Sequence, residues 1–342
     1  MDDELKKNLI KVEEVYEDKI ICLDVEGNIL TVKGEFKFSK GDVLQFTTDN
    51  YYIKYHSSSA ESACLFVTNQ CNSNCLMCPD TTYSRRRKND INLEFLKDFL
   101  MLLPTDLPYL DITGGEPTLL KNNLITIIDM AFNHFENIDI MILSNGRAFA
   151  DKCYAMLFEK YSNKNLIIEV PLHGFDSQTH DYIAGGNGYF SQTASGIYNL
   201  LNSRVSIGIR IVVSKLNYKY IYKIINYIGK TFRNVKYINI MGLEMLGNAR
   251  TNIEKVWIEF DDVKDILQKN IELCFMYGIE PRLYNFPLCL FEKKYWSVYR
   301  KSISPHKVVY LENCSGCSIK NYCGGFFKST ANITKYMGKG DC

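Results

Sequence analysis

Three thiols crowd the segment CNSNCLMC, where Cys71, Cys75 and Cys78 are separated by three and then two residues. A structural zinc site needs four ligands, as does an electron-transfer cluster with every iron capped by cysteine. Three ligands leave one position open. In a four-iron cubane, one iron then remains free for a substrate or cofactor, much as a catalytic zinc keeps a position for water. The spacing also admits a zinc site completed by a distant residue, or three incidental thiols on a loop. A second segment, TGGEPT (Thr113 to Thr118), sets the carboxylate of Glu116 beside two glycines. Gly114 and Gly115 let backbone groups approach a ligand where a Cβ would clash. The same residues also read as a turn before a helix, with Pro117 at its first position.

A further set of thiols lies in CSGCSIKNYCGGFF, as Cys314, Cys317 and Cys323, with Cys289 upstream in FPLCLF and Cys342 as the last residue. Four ligands are available, so this centre can be closed, by an iron–sulfur cluster or by a structural zinc knot. Cys289 is preferred to Cys342 as the fourth, because a terminal residue is prone to fray. Cys22, Cys64, Cys153 and Cys274 stand alone in apolar surroundings, where cysteine behaves as a small buried hydrophobe. The charged opening MDDELKKNLIKVEE lacks the apolar segment of a signal peptide. A reducing, cytoplasmic setting is therefore expected, with clustered cysteines as metal ligands before disulfides.

The elements that must position these groups follow from length and periodicity. A chain of 342 residues can bury a large core and hold one large domain with attachments. Apolar residues make up 46%, yet no run is long enough to cross a bilayer, so a globular protein without membrane contact is expected. A net charge of +1 argues against nucleic-acid binding through overall charge and leaves only a local patch for it. The one basic run, SRRRK from Ser84 to Lys88, reads as a solvated loop, or otherwise as a docking patch for an acidic partner or electron donor.

Three regions are expected. Residues 1–57 alternate short β-branched and aromatic runs around turn signals, as a small β-rich module. Residues 58–250 alternate strands (ACLFVTN, YLDIT, IDIMILS, LIIEVPL, VSIGIRIVV, VKYINIM) with helical stretches, implying parallel pairing through right-handed crossovers. Residues 251–342 hold a helix and then a loop-rich, cysteine-rich stretch. The fold class is α/β, with a doubly wound sheet or a β/α barrel as its form. CNSNCLMC, TGGEPT, SNGR (Ser144 to Arg147) and LHG (Leu172 to Gly174) all follow strand ends, the face where β/α barrels build active sites.

The three-cysteine loop after the first strand, with GGEPT after the second, resembles the radical S-adenosylmethionine (SAM) superfamily. The resemblance covers about residues 62–250. It implies a partial (β/α)6 TIM-like barrel in which Cys71, Cys75 and Cys78 hold a 4Fe-4S cluster, its open iron chelated by the amino and carboxylate groups of SAM. One-electron reduction then cleaves SAM to a 5'-deoxyadenosyl radical that abstracts hydrogen from substrate. Carried over residue by residue, Gly114, Gly115 and Glu116 meet the methionyl amino group, and Ser144 and Asn145 the ribose or methionyl portion. Arg210 is a partner for the SAM carboxylate, or else a surface arginine on an alternating strand. Met77 stands where the family often has an aromatic residue against adenine, Glu244 in MGLEMLGNAR faces the cofactor, and Pro171 replaces a frequent serine. His173 is open to a substrate contact or a packing role.

The C-terminal cysteines are similar to the SPASM and shorter twitch extensions of radical SAM enzymes that modify ribosomally made peptides. Phe327 occupies the place of a further SPASM cysteine, which leaves one auxiliary 4Fe-4S cluster. The whole layout is most similar to the maturases of His-Xaa-Ser-repeat peptide systems. That resemblance implies a precursor peptide substrate, a cross-link or comparable modification, and a flavodoxin or ferredoxin as reductant. Two alternatives stand beside it: a radical SAM enzyme acting on a small molecule in cofactor biosynthesis, and a non-catalytic iron–sulfur electron carrier or regulator.

Overall fold

A computed structural model describes residues 9–47, 51–86 and 92–339. The chain divides into two compact units, Met1–Asn69 with Lys88–Ile142, and Gln70–Arg87 with Leu143–Cys342.

The first unit begins with an antiparallel sheet of β1 (Ile10–Val15), β2 (Lys19–Leu23), β3 (Ile29–Lys33), β4 (Val43–Phe46) and β5 (Tyr52–His56), in spatial order β3-β2-β1-β4-β5. Alternation puts Ile10, Val12, Ile20, Cys22, Leu44 and Phe46 on one buried face. This is the half-buried pattern that antiparallel sheets allow. Parallel strands follow: β6 (Ser62–Phe66) pairs with β7 (Tyr109–Thr113), and β7 with β8 (Asp139–Leu143). Their crossovers are helices Leu93–Leu102 and Asn122–His134. The second buries Leu124, Ile127, Ile128 and Ala131, a single stripe at helical spacing.

The second unit carries β9 (Leu166–Pro171), β10 (Ser206–Val212), β11 (Tyr237–Met241) and β12 (Glu280–Tyr284), all parallel, in order β12-β11-β10-β9. Helices Tyr189–Asn202, Ile221–Thr231 and Phe260–Met276 provide the connections. In Ile221–Thr231 four isoleucines, at 221, 224, 225 and 228, form the buried stripe. Every residue of β11 is buried, as expected of a strand covered on both faces. The α/β architecture of parallel strands with crossover helices, beside a small antiparallel sheet, agrees with the sequence reading.

Several expectations are corrected. Strand β12 falls at the start of the stretch expected to be loop-rich, where no strand was expected. Its sequence EPRLY has no apolar run, and its proline fits because it lies at an edge. Helix Ser177–Ala184 was also missed; Asp176 caps it by accepting from the Thr179 amide at 2.8 Å. Of the solitary cysteines, Cys22 and Cys274 are buried, but Cys64 and Cys153 are exposed. Cys64 points to the outer face of β6, where Ala63 and Leu65 take the core positions, and Cys153 lies in the first turn of helix Lys152–Met156. SRRRK is no solvated loop at its start. Ser84 to Arg86 belong to helix Thr82–Arg86 and Arg85 is buried, while 87 and 88 lie outside the described residues. Among the described residues no helix is long and apolar enough to cross a membrane.

Candidate active site

The cysteine loop belongs to the second unit, where neighbouring elements tie it down through its backbone. The Asn74 amide donates to the Ala184 carbonyl at 3.0 Å and the Leu76 amide to that of Ile183 at 2.9 Å. On another side the Ala249 amide donates to the Cys78 carbonyl at 3.1 Å, and the Asn248 side chain to that of Cys75 at 3.1 Å. Gly185 is required for this closeness, since a Cβ there would lie 2.3 Å from the Asn74 carbonyl oxygen. Two arginines grip the residues between the first two thiols. Arg147 donates to the Asn72 carbonyl at 2.7 Å with its guanidinium stacked 3.3 Å from the Tyr189 ring centre, and Arg85 donates to the Ser73 carbonyl at 2.8 Å.

All three thiols are partly buried. Burial, then the adjacent Cys78 and Cys71 sulfurs, push the Cys75 thiol up to about 12, and burial also raises Cys78. Such thiols give up their protons to a metal rather than to water, so occupancy would release protons. Among the described residues no three His, Cys, Asp or Glu side chains converge as the ligands of one metal ion. In a cubane each thiolate caps a different iron, so convergence on one point is not required. This all-sulfur donor set, free of carboxylate and imidazole, fits an iron–sulfur cluster.

In the first unit, TGGEPT follows β7 directly. Gly114 has φ +157°, and a Cβ on it would stand 2.3 Å from the Thr68 carbonyl oxygen, which also accepts from the Gly115 amide at 2.6 Å. The close approach is thus made by the chain's own backbone. Glu116 is 1% exposed and caps the turn Pro117–Leu120, its Oε1 accepting from the Thr118 amide at 3.1 Å and hydroxyl at 2.6 Å. A buried carboxylate is thereby fixed at the strand end.

The other proposed residues all lie in the second unit. Ser144 is buried, and its hydroxyl accepts from the Gly146 amide at 3.1 Å. Asn145 reaches the cysteine loop itself, donating to Asn72 Oδ1 at 2.7 Å and to Ser73 Oγ at 3.3 Å. Met77 lies in an apolar cluster with Ile183, Leu243, Met245, Ala249 and Val256. Glu244 pairs with Lys307 at 3.1 Å.

Arg210 lies on one face of the sheet with residues that spacing did not reveal. Its Nε is 3.4 Å from Glu169 Oε2, while Glu169 Oε1 accepts from the Tyr237 hydroxyl at 2.9 Å and from Asn239 Nδ2 at 2.6 Å. Gly208, in register with both Glu169 and Tyr237, makes room for the tyrosine ring, which a Cβ would meet at 2.3 Å. Burial and Glu169 raise the tyrosine pKa. His173, just past β9, is buried with its ring centre 5.3 Å from that of His180, and its amide donates to His180 Nδ1 at 3.2 Å. Burial, then His180 and Arg210, hold the His173 imidazole well below its usual range.

Further along the same unit, Cys289, Cys314, Cys317 and Cys323 line one cavity. Cys323 Sγ accepts from the amides of Leu288 at 3.2 Å and Gly325 at 3.3 Å, and Cys289 Sγ is 3.4 Å from the Tyr336 hydroxyl. Burial raises both Cys323 and Cys314, with Cys289 adding to each. Cys342 lies outside the described residues.

Residues 65–228, just under half of the chain, match the Radical SAM superfamily. The matched segment contains the cysteine loop, GGEPT, SNGR and Arg210. The family implies an enzyme with a 4Fe-4S cluster and SAM. Among curated proteins the chain is similar to an uncharacterized protein of Methanocaldococcus jannaschii, 27% identical over 173 residues, covering 48% of this chain and 57% of that one. Among solved structures it is similar to native anSMEcpe with bound AdoMet and Kp18Cys peptide (14% identity, 65% of this chain, 63% of that, TM-score 0.50). It is also similar to SuiB of Streptococcus suis bound to precursor peptide SuiA (15% identity, 67% of this chain, 49% of that, TM-score 0.52). Likeness at such identity shows the fold, a partial TIM barrel. The chain spans less than two thirds of the length of each of these proteins.

Proposed function

We propose that this protein is a radical SAM enzyme that modifies a ribosomally synthesised peptide. The observation that carries the reading is the pair of thiol sets, three on a tethered loop and four around a separate cavity. Cys71, Cys75 and Cys78 would hold the SAM-binding 4Fe-4S cluster. Cys289, Cys314, Cys317 and Cys323 would close an auxiliary one, and Cys323 Sγ receives two amide hydrogen bonds of the kind that tune such clusters. When bound, cluster and SAM would supply a 5'-deoxyadenosyl radical for hydrogen abstraction, one electron from an external reductant being consumed as SAM is cleaved and methionine released.

The chain's own groups prepare that chemistry. Glu116, fixed by the Thr118 amide and hydroxyl, offers a carboxylate to the methionyl ammonium of SAM. Asn145 and Ser144 hold the turn at the end of β8, with Asn145 bonded to the cysteine loop. Arg210, its Nε donating to Met241 Sδ at 3.2 Å beside the Glu169 carboxylate, would turn its terminal guanidinium nitrogens to an oxygen anion. A peptide substrate is supported by the fold likeness to SuiB, whose structure holds a precursor peptide.

Anaerobically reconstituted protein, reduced in the presence of SAM, is expected to yield 5'-deoxyadenosine, and Cys75→Ala to yield none. Iron counts are expected near eight per chain, about four for each cubane. Absence of 5'-deoxyadenosine from the reduced, iron-replete protein refutes the enzyme reading. A mass change in a short peptide encoded beside the protein, dependent on Cys75, tests the substrate class.

A further inference from the structure

Arg85 is a buried charge that the motifs leave unexplained. It is 5% exposed, within helix Thr82–Arg86. Nη1 donates to the Ser73 carbonyl at 2.8 Å, Nη2 to Asn74 Oδ1 at 3.0 Å and Thr82 Oγ1 at 3.4 Å, and Nε to the Thr81 carbonyl at 3.3 Å. Every one of these acceptors is neutral. Among the described residues no carboxylate pairs with Arg85, although the chain pairs Arg210, Arg282 and Arg300 in this way. An arginine is almost never fully buried unless paired, since dipoles recover only part of the lost hydration. The surroundings therefore call for an anion.

The geometry says where that anion sits. Two of the acceptors, Ser73 and Asn74, lie between Cys71 and Cys75, so the guanidinium is fixed against the loop that carries the thiols. A 4Fe-4S core held by three thiolates carries net negative charge and gains another unit on reduction. A fixed cation beside it stabilises the reduced form more than the oxidised one, and charge is among the levers that set cluster potentials.

Resting on the function proposed above, we infer that Arg85 is a positioning residue that serves as the buried counter-ion of the Cys71/Cys75/Cys78 cluster and raises its reduction potential. The test compares the full-length protein with Arg85→Gln and Arg85→Lys after anaerobic reconstitution. Iron per chain is measured, and the electron paramagnetic resonance component that disappears in Cys75→Ala is titrated against potential without SAM. Arg85→Gln is expected to reduce about tenfold less favourably, a shift of ~59 mV to more negative potential, with Arg85→Lys close to the parent. An unshifted potential in iron-replete Arg85→Gln overturns the inference. Should Arg85→Gln fail to load iron, recovery of loading in Arg85→Lys supports the charge role. Equal loss in both assigns Arg85 to hydrogen bonding alone and overturns it. A parent protein with no Cys75-dependent cluster would instead defeat the underlying reading.

Discussion

Gly185→Ala, set against Gly188→Ala, isolates what holds the cysteine loop. Both glycines have φ in the left-handed region, +78° and +75°. Alanine at either position costs about 1–2 kcal/mol of backbone strain. Around Gly188 a Cβ would meet nothing within 4 Å, so strain is the whole cost. At Gly185 the Cβ would lie 2.3 Å from the Asn74 carbonyl oxygen and 2.8 Å from its carbon, both rigid backbone. Relief requires the loop to move off helix Ser177–Ala184, which breaks the bonds from Asn74 and Leu76 to the carbonyls of Ala184 and Ile183. At about 1 kcal/mol for each hydrogen bond, the excess over Gly188→Ala is about 2 kcal/mol. Denaturant unfolding reads the difference, and iron per chain reads its consequence, because Asn74 and Leu76 are the two neighbours of Cys75. Gly188→Ala is expected to keep full iron content, and Gly185→Ala to lose iron from the Cys75-dependent cluster. Stabilities within 0.5 kcal/mol of each other and equal iron loading would refute the reasoning.

Three further outcomes are expected. Tyr237→Phe removes the hydroxyl that donates to buried Glu169 and should destabilise by about 1–3 kcal/mol in denaturant unfolding, with Gly208→Ala acting in the same direction by displacing the ring. Burial, then Arg147, lower His180 to about 4, well below its unfolded value of about 6.5. The unfolded chain thus binds the extra proton between about pH 6.5 and 4, and stability falls with pH across that window. His180→Asn, which keeps an acceptor for the His173 amide, should flatten this slope by roughly one proton, or 1.36 kcal/mol per pH unit; an unchanged profile counts against the assignment. Cys289→Ala should lower iron by about four per chain while 5'-deoxyadenosine formation persists, and full iron content would remove Cys289 from the ligand set.

What the sequence disclosed depended on the range of the interaction. Strand β7 was legible to the residue, because YLDIT is an apolar alternation bounded by turn signals, and the isoleucine stripe of Ile221–Thr231 announces its helix. The cysteine spacings and GGEPT were equally plain. Glu169 was not: its donors Tyr237 and Asn239 are 68 and 70 residues away, and in LIIEVPL it reads as an outward polar residue. Arg85 was hidden for a different reason. In SRRRK charged residues adjoin, and the helix phase of Thr82–Arg86 is what turns Arg85 inward to Ser73. The role expected of the GGEPT glycines also shifted, since the backbone admitted by Gly114 is that of Thr68.

The two thiol sets differ in how much structure surrounds them, and ligand number supplies a reason. A centre with four cysteines is cross-linked by its own metal bonds, so the chain around it can be irregular. Around Cys289, Cys314, Cys317 and Cys323 it consists of single 3-10 turns and a two-residue strand pair, Val308–Val309 with Phe326–Phe327. Three cysteines give one bond fewer, and the open position must keep its direction while a cofactor comes and goes. That rigidity has to come from the protein. The loop from Cys71 to Cys78 receives it from helix Ser177–Ala184, from Asn248 and Ala249, and from the guanidinium groups of Arg85 and Arg147. On the function proposed above, the contacts made by the three-thiol loop are what an open metal site would demand, because an unsupported set of ligands would drift from its productive geometry.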